Sequence, residues 1–139
     1  MKVGFTGTQM GTTDPQLGSL IEIVEGLDIL QAHHGDCLGA DEEFAVIVET
    51  VRPETELHCH PPKDSKKRAF TRYQVSYSEK PYLVRNRFIV RASDLMIACP
   101  SGTKEIRRGS GTWATIRYAR KDGVPLVIIW PNGTCTYEV

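Results

Sequence analysis

The chain has 139 residues, with 17 Lys plus Arg balanced by 17 Asp plus Glu, and 40% of its residues are hydrophobic. That length can bury an ordinary core without disulfide or metal staples, and zero formal charge gives no general attraction to nucleic acid or to an anionic membrane surface. The apolar residues fall in short runs, none near the roughly 18 that a bilayer span requires, so a soluble protein with one domain over residues 1–139 and no membrane partner is expected.

The first residues, MKVGFTGT, enter a strand at once, and Gly and Thr break the run before a signal-peptide core can form. Apolar runs near 2–6, 28–33, 55–59, 94–99 and 125–130 read as five strands. Helical spacing fills the gaps. Asp14-Pro15 is a cap followed by a residue suited to the first turn, and Leu17, Leu20, Ile21 and Val24 share one face before Gly26. Ala40 to Val51 repeats the pattern through Phe44, Ile47 and Val48, Tyr82 to Ala92 follows Pro81, and Thr112 to Arg120 ends at Asp122-Gly123. Strands alternating with helices predict the α/β class, a Rossmann-like doubly wound parallel sheet of about five strands in the order 3-2-1-4-5, with helices on both faces. In such a sheet the ligand crevice lies beyond the carboxyl ends of the first and fourth strands. Cys37, Cys59, Cys99 and Cys135 lack CxxC spacing, which points to a reducing cytoplasm.

The loops on that face carry the unusual chemistry. After the first strand, GTQMGTT offers Gly7 and Gly11 for close backbone approach and Thr6, Thr8, Thr12 and Thr13 as hydroxyl donors; its spacing is not GxGxxG, which weighs against an ordinary NAD site. After the second, HHGDCLGAD holds His34, Gly35, Asp36, Gly39 and Asp41, whose carboxylates either accept from ribose hydroxyls or cap the following helix and its loop. The helix YLVRNRF sets Arg85, Asn86 and Arg87 near the crevice mouth, where the arginines either meet phosphate or pair with neighbouring carboxylates. GSGT, with Gly109, Ser110, Gly111 and Thr112, opens the last helix. Free N–H groups and the helix dipole favour an anion there, although such a turn also serves packing alone.

Pro61 to Pro81 is long and lacks clear periodicity. Its Lys63, Lys66, Lys67, Arg68 and Arg72, interleaved with Phe70, Tyr73 and Tyr77, either close over a phosphate- and base-bearing ligand or form a solvated basic surface. His58-Cys59-His60 places two imidazoles on one strand face, but no well-spaced second group of ligands follows, so no metal and no other cofactor is expected.

HGDCLGAD together with RNRFIVRASDLMIACP and GSGT resembles the SLOG superfamily, the Rossmann-like group that joins DNA-processing protein A (Smf) with the phosphoribohydrolases formerly called lysine decarboxylase-like proteins. The resemblance covers nearly the whole chain. Arg85 matches the arginine that precedes the phosphoribohydrolase PGGxGTxxE segment, and Gly109, Gly111 and Thr112 match its glycine-threonine core. Thr115 stands where that segment has glutamate. The resemblance therefore implies binding of a small nucleotide-derived ligand, as sensor or sequestering protein, more than full turnover; the alternatives are a nucleoside-monophosphate N-glycosidase, in which Asp36, Asp41 or Glu105 supplies the acid, and a single-stranded DNA binder, which net neutrality disfavours. It also implies a homo-oligomer.

Overall fold

The computed structural model describes residues 1–139. In chain order the elements are β1 (Lys2–Gly7), α1 (Asp14–Gly26), β2 (Gln31–His34), α2 (Ala40–Val51), β3 (Glu56–Cys59), a 3-10 turn (Ser65–Lys67), β4 (Val75–Ser76), α3 (Tyr82–Ala92), β5 (Leu95–Cys99), α4 (Gly111–Asp122), β6 (Leu126–Ile129) and β7 (Cys135–Glu138). One sheet contains all seven strands in the order β4-β3-β2-β1-β5-β6-β7, parallel except for β7. The expected central order is preserved within it, but five strands become seven because two edge strands are added. β4 is two residues long and pairs with β3, so it leaves no periodic signal. β7 returns antiparallel to β6 across a tight turn at Pro131–Gly133, in which Gly133 N–H donates to Trp130 O.

Strand side chains alternate between two cores. Val3, Phe5, Ala32, Leu57 and Ile97 face α1 and α2, meeting Leu20, Val24, Phe44 and Val48. Met96, Ala98, Leu126 and Ile128 face α3 and α4, meeting Ile89, Val90, Trp113 and Ile116. The Phe5 and Phe44 rings stack at 4.6 Å with both side chains fully enclosed, fixing α2 over the middle of the sheet. No helix is long and apolar enough to cross a membrane.

The start of α1 is locked to the sheet by its cap. Thr13 Oγ1 accepts from Gln16 N–H, Gln16 Oε1 accepts from Thr13 N–H, and Gln16 Nε2 donates to Pro100 O at 2.8 Å and Ile129 O at 3.0 Å. One buried amide thus joins the helix to the carboxyl ends of β5 and β6. Because β1 lies between β2 and β5, the winding reverses there, and the crevice opens above that point.

Candidate functional site

The first loop is fastened to α2 before it reaches the crevice. Ala40 N–H donates to Thr8 O at 3.0 Å, and Glu43 accepts from Thr12 N–H at 2.8 Å and from the Thr12 hydroxyl at 3.0 Å. Gly39, at φ 92°, allows this approach, since a Cβ there would collide with the Gln9 carbonyl. The helix ends at the crevice differ in charge, and α3, which starts at Tyr82, has no acidic residue in its first turn. The first turn of α2 carries Asp41, Glu42 and Glu43, so its N-terminal dipole already faces negative charge. The first turn of α4 has no acidic residue. There Ser110 Oγ accepts from Trp113 N–H and Ser110 O from Ala114 N–H, which leaves the N–H groups of Gly111 and Thr112 without an acceptor in the chain.

Those donors border a crevice of about 620 Å³. Thr6, Gly7 and Thr8 line it from the first loop, Gly35 and Asp41 from the second, Arg85 and Asn86 from α3, and Gly109, Ser110, Gly111 and Thr112 from the entry to α4. The 61–81 segment contributes Pro62, Lys63, Asp64 and Lys67, a wall that its lack of periodicity hid. Cys37 and Tyr82 also line the crevice. Six expected site residues do not line it: Gly11, His34, Asp36, Gly39, Arg68 and Arg87.

Their positions have physical reasons. Asp36 is fully buried at φ 52° and accepts from Arg68 Nε at 2.7 Å, Thr71 N–H at 2.9 Å and the Thr71 hydroxyl at 2.5 Å, so its carboxylate secures the long loop and is enclosed away from the crevice. Arg68 is held by that pair and stacks 4.7 Å over Phe70, so it is not a phosphate contact. His34 turns under α2; its Nδ1 accepts from Asp36 N–H at 2.9 Å, and burial pushes its pKa down to about 4. Arg87 lies 4.6 Å over the Tyr118 ring on the solvent side of α3. Gly11 and Gly39 shape the loop junction behind the crevice.

Arg85 is 5% exposed and ties strand ends together. Its Nη1 donates to Gly35 O and to His60 O, its Nε to Asn86 Oδ1 at 2.8 Å, and its Nη2 to Cys37 Sγ at 3.6 Å. Gly35 permits this because a Cβ there would meet Arg85 Nη1 at 2.6 Å. Of the five N–H donors of a guanidinium, one on Nη2 has no acceptor in the chain.

Asp41 is a buried crevice carboxylate with no ion-pair partner. It is 7% exposed, its Oδ2 accepts from Cys37 N–H at 3.2 Å, and burial raises its pKa to about 6, with the Arg85 guanidinium opposing the rise. Burial likewise pushes the Cys37 thiol up, away from nucleophile chemistry. Thr115 is 1% exposed, and its hydroxyl donates to Gly111 O at 2.7 Å inside α4, so it presents no acid-base group to the crevice. Glu105 pairs with Arg117 at 3.0 Å instead of facing the crevice.

An acid carboxyl whose folded pKa is raised from 3.8 to about 6 binds a proton on folding between those values, so it lowers stability as pH rises through that window and is neutral to stability below it. Asp41→Asn is therefore expected to match the wild type below about pH 4 and to become the more stable protein above about pH 6, by on the order of 3 kcal/mol. Urea denaturation across pH 4 to 7 checks it; a difference independent of pH would mean that Asp41 ionises freely.

The parallel sheet wound outward from β1, with glycine loops and the open N-terminus of α4 around its switch point, defines a Rossmann-like α/β fold. No protein-family model and no curated protein matches the sequence. Solved structures do match. The chain is similar to the molybdenum cofactor binding protein of the phototrophic bacterium Rippkaea orientalis, with TM-score 0.69 and 18% identity over 93% of this chain and 76% of that one. It is also similar to DNA processing protein A of Streptococcus pneumoniae, with TM-score 0.66 and 19% identity over 91% of this chain but 49% of that one. The structural-genomics target TM1055 aligns with TM-score 0.62 and 15% identity over 90% of this chain and 71% of that one.

Proposed function

We propose that the crevice binds a small nucleotide-derived ligand containing ribose and phosphate, and that the protein senses or sequesters that ligand. The observation that carries this reading is the pair of unpartnered N–H groups of Gly111 and Thr112 in the glycine-rich entry to α4, a crevice-facing helix end free of acidic residues. Phosphate sits there, within a wall that also holds Lys63 and Lys67, while Asp41 accepts from a ribose hydroxyl and Tyr82 borders the base. The likeness to a cofactor-binding protein supports a small-molecule occupant for this fold. Four unpaired cysteines support a reducing cytoplasm, and self-association belongs to the same proposal, to be read by sedimentation velocity. Native mass spectrometry of freshly purified protein tests the reading: a retained nucleotide mass supports it, and a retained ligand lacking phosphate overturns it.

Gly111→Pro isolates the phosphate contact. Proline suits the first helical position, Ser110 before it is already extended at φ −123°, ψ 112°, and one N–H donor is removed. The Tyr82 ring, 3.2 Å from a Cβ at this position, must shift by a few tenths of an ångström. Affinity for a nucleoside monophosphate is expected to fall about tenfold or more, the equivalent of one charge-assisted bond, with helical circular dichroism unchanged. Unchanged affinity in the folded variant would remove phosphate from this loop.

Asp41 favours one second reading, N-glycosidic hydrolysis. It is a crevice carboxyl group that exchanges its proton near pH 6, as an acid-base group for expelling a base and activating water must. Chromatography of incubated nucleoside monophosphates for free base and ribose 5-phosphate, with Asp41→Asn as control, separates turnover from binding.

A further inference from the structure

On the α3 side of the sheet, beyond Arg85, lies a second cavity of about 330 Å³, lined by His60, Tyr77, Ser78, Lys80, Phe88 and Arg91. The crevice reading uses none of these six. Behind them lie three buried imidazoles in two separate hydrogen-bonded sets, His58 with Glu56 and Tyr77, and His33 with Gln31 and His60. His58 Nε2 donates to Glu56 Oε1, which only accepts, and His58 Nδ1 is hydrogen-bonded with the Tyr77 hydroxyl at 2.9 Å. Gln31 presents Oε1 to His33 Nε2 at 3.0 Å, so His33 donates there and its Nδ1 accepts from His60 Nε2 at 2.9 Å. The remaining nitrogen, His60 Nδ1, is then a bare lone pair.

That lone pair is unpartnered but not sealed. His60 is 4% exposed, its Nδ1 has no hydrogen-bond partner in the chain, and the buried polar atoms that lack both partner and access are His34 Nε2 and Trp113 Nε1. Burial, then the neighbouring His33, His34, His58 and Arg85, push the His60 pKa down to about 3, so the ring remains an acceptor at neutral pH. Tyr77 stacks on it at 4.3 Å and 12°, fixing the ring plane. Two cations border the same cavity without a carboxylate partner: Lys80, held 4.8 Å over the Phe88 ring, and Arg91.

We propose that this cavity is a second ligand site for a small hydroxylated phosphate ester, its hydroxyl donating to His60 Nδ1 and its phosphate paired by Lys80 and Arg91. An acceptor that needs a donor, beside two cations that need an anion, selects a molecule carrying both groups. Bare phosphate supplies the charge without a well-placed alcohol, and a neutral polyol supplies only the hydroxyl. The site is separate from the crevice, although Arg85 borders both, which makes Arg85 unsuitable as its test.

Residue-resolved NMR titration of the whole protein with glycerol 3-phosphate, inorganic phosphate and glycerol tests it. The expected result is saturable shifts of the Ser78, Lys80, Phe88 and Arg91 amides with glycerol 3-phosphate, about tenfold weaker response to inorganic phosphate, and none to glycerol. The double variant Lys80→Ala, Arg91→Ala is expected to lose those shifts while the Gly109 to Thr112 amides respond as in the wild type. Long-range proton–nitrogen spectra are expected to show His60 Nδ1 unprotonated. Shifts confined to residues 109–112, shifts that survive the double variant, equal response to inorganic phosphate, or a protonated His60 Nδ1 would each overturn the proposal. Failure of the crevice reading would appear instead as silence at 109–112 and leaves the second site standing.

Discussion

Arg85→Ala is expected to lower the stability of the chain by on the order of 3 kcal/mol or more, because Gly35 O and His60 O each lose a charge-assisted bond worth about 1.5–3 kcal/mol and remain buried. These carbonyls lie just beyond β2 and β3, so the loss loosens two neighbouring strand ends at the crevice floor. It also removes the guanidinium that opposes the raised pKa of Asp41, which therefore rises further. Arg85→Lys recovers little, since an ammonium on a flexible stem does not present the planar fork that spans both carbonyls and Asn86. The urea midpoint measures the effect, and parallel titration shows ligand affinity falling together with stability. A variant with the wild-type midpoint and lost affinity would make Arg85 a ligand contact instead of a strand tie.

Asp36→Ala acts on the opposite wall. The Asp36 carboxylate is fully enclosed and accepts from Arg68 and twice from Thr71, while Ala69 N–H bonds to the Asp36 carbonyl, so residues 68–71 are fastened to the β2–α2 loop through this residue. Removing one member of a buried pair costs about 3–5 kcal/mol, here toward the lower figure because Arg68 retains some access to water. The expected result is a large fall in urea midpoint together with rapid tryptic cleavage between Lys66 and Arg72. Wild-type cleavage kinetics in this variant would mean that β4 and the 3-10 turn hold the segment without Asp36.

Much of the scaffold is legible in the sequence because each central element carries a local signal. Asp14-Pro15, the Ala40 to Val51 periodicity and the unbroken apolar run of 126–129 each specify type and place. β4 is not legible because two residues on a sheet edge have no period. β7 lies outside the five apolar runs, its only signal being Asn132-Gly133 followed by Thr136 and Tyr137, a hairpin pattern. The crevice glycines are readable for a similar reason: close backbone approach leaves glycine at fixed places in the chain. Side-chain roles are less so. The sequence shows two aspartates in HGDCLGAD, but which one faces the crevice depends on the left-handed turn at Asp36, which directs that carboxylate to Arg68 and leaves Asp41 on the wall. Arg85 and Arg87 differ for a simpler reason. They are two residues apart on a helix, so one is buried on the sheet side while the other stacks on Tyr118 outside.

Calorimetric titration of the wild-type protein with adenosine 5′-monophosphate and with adenosine tests most directly the proposed recognition of phosphate in the crevice through the open end of α4. The expected result is saturable binding of the monophosphate at least about tenfold tighter than that of the nucleoside, weakening as salt rises because part of the recognition is ionic. Equal affinity for the two, or tighter binding of adenosine, would contradict it.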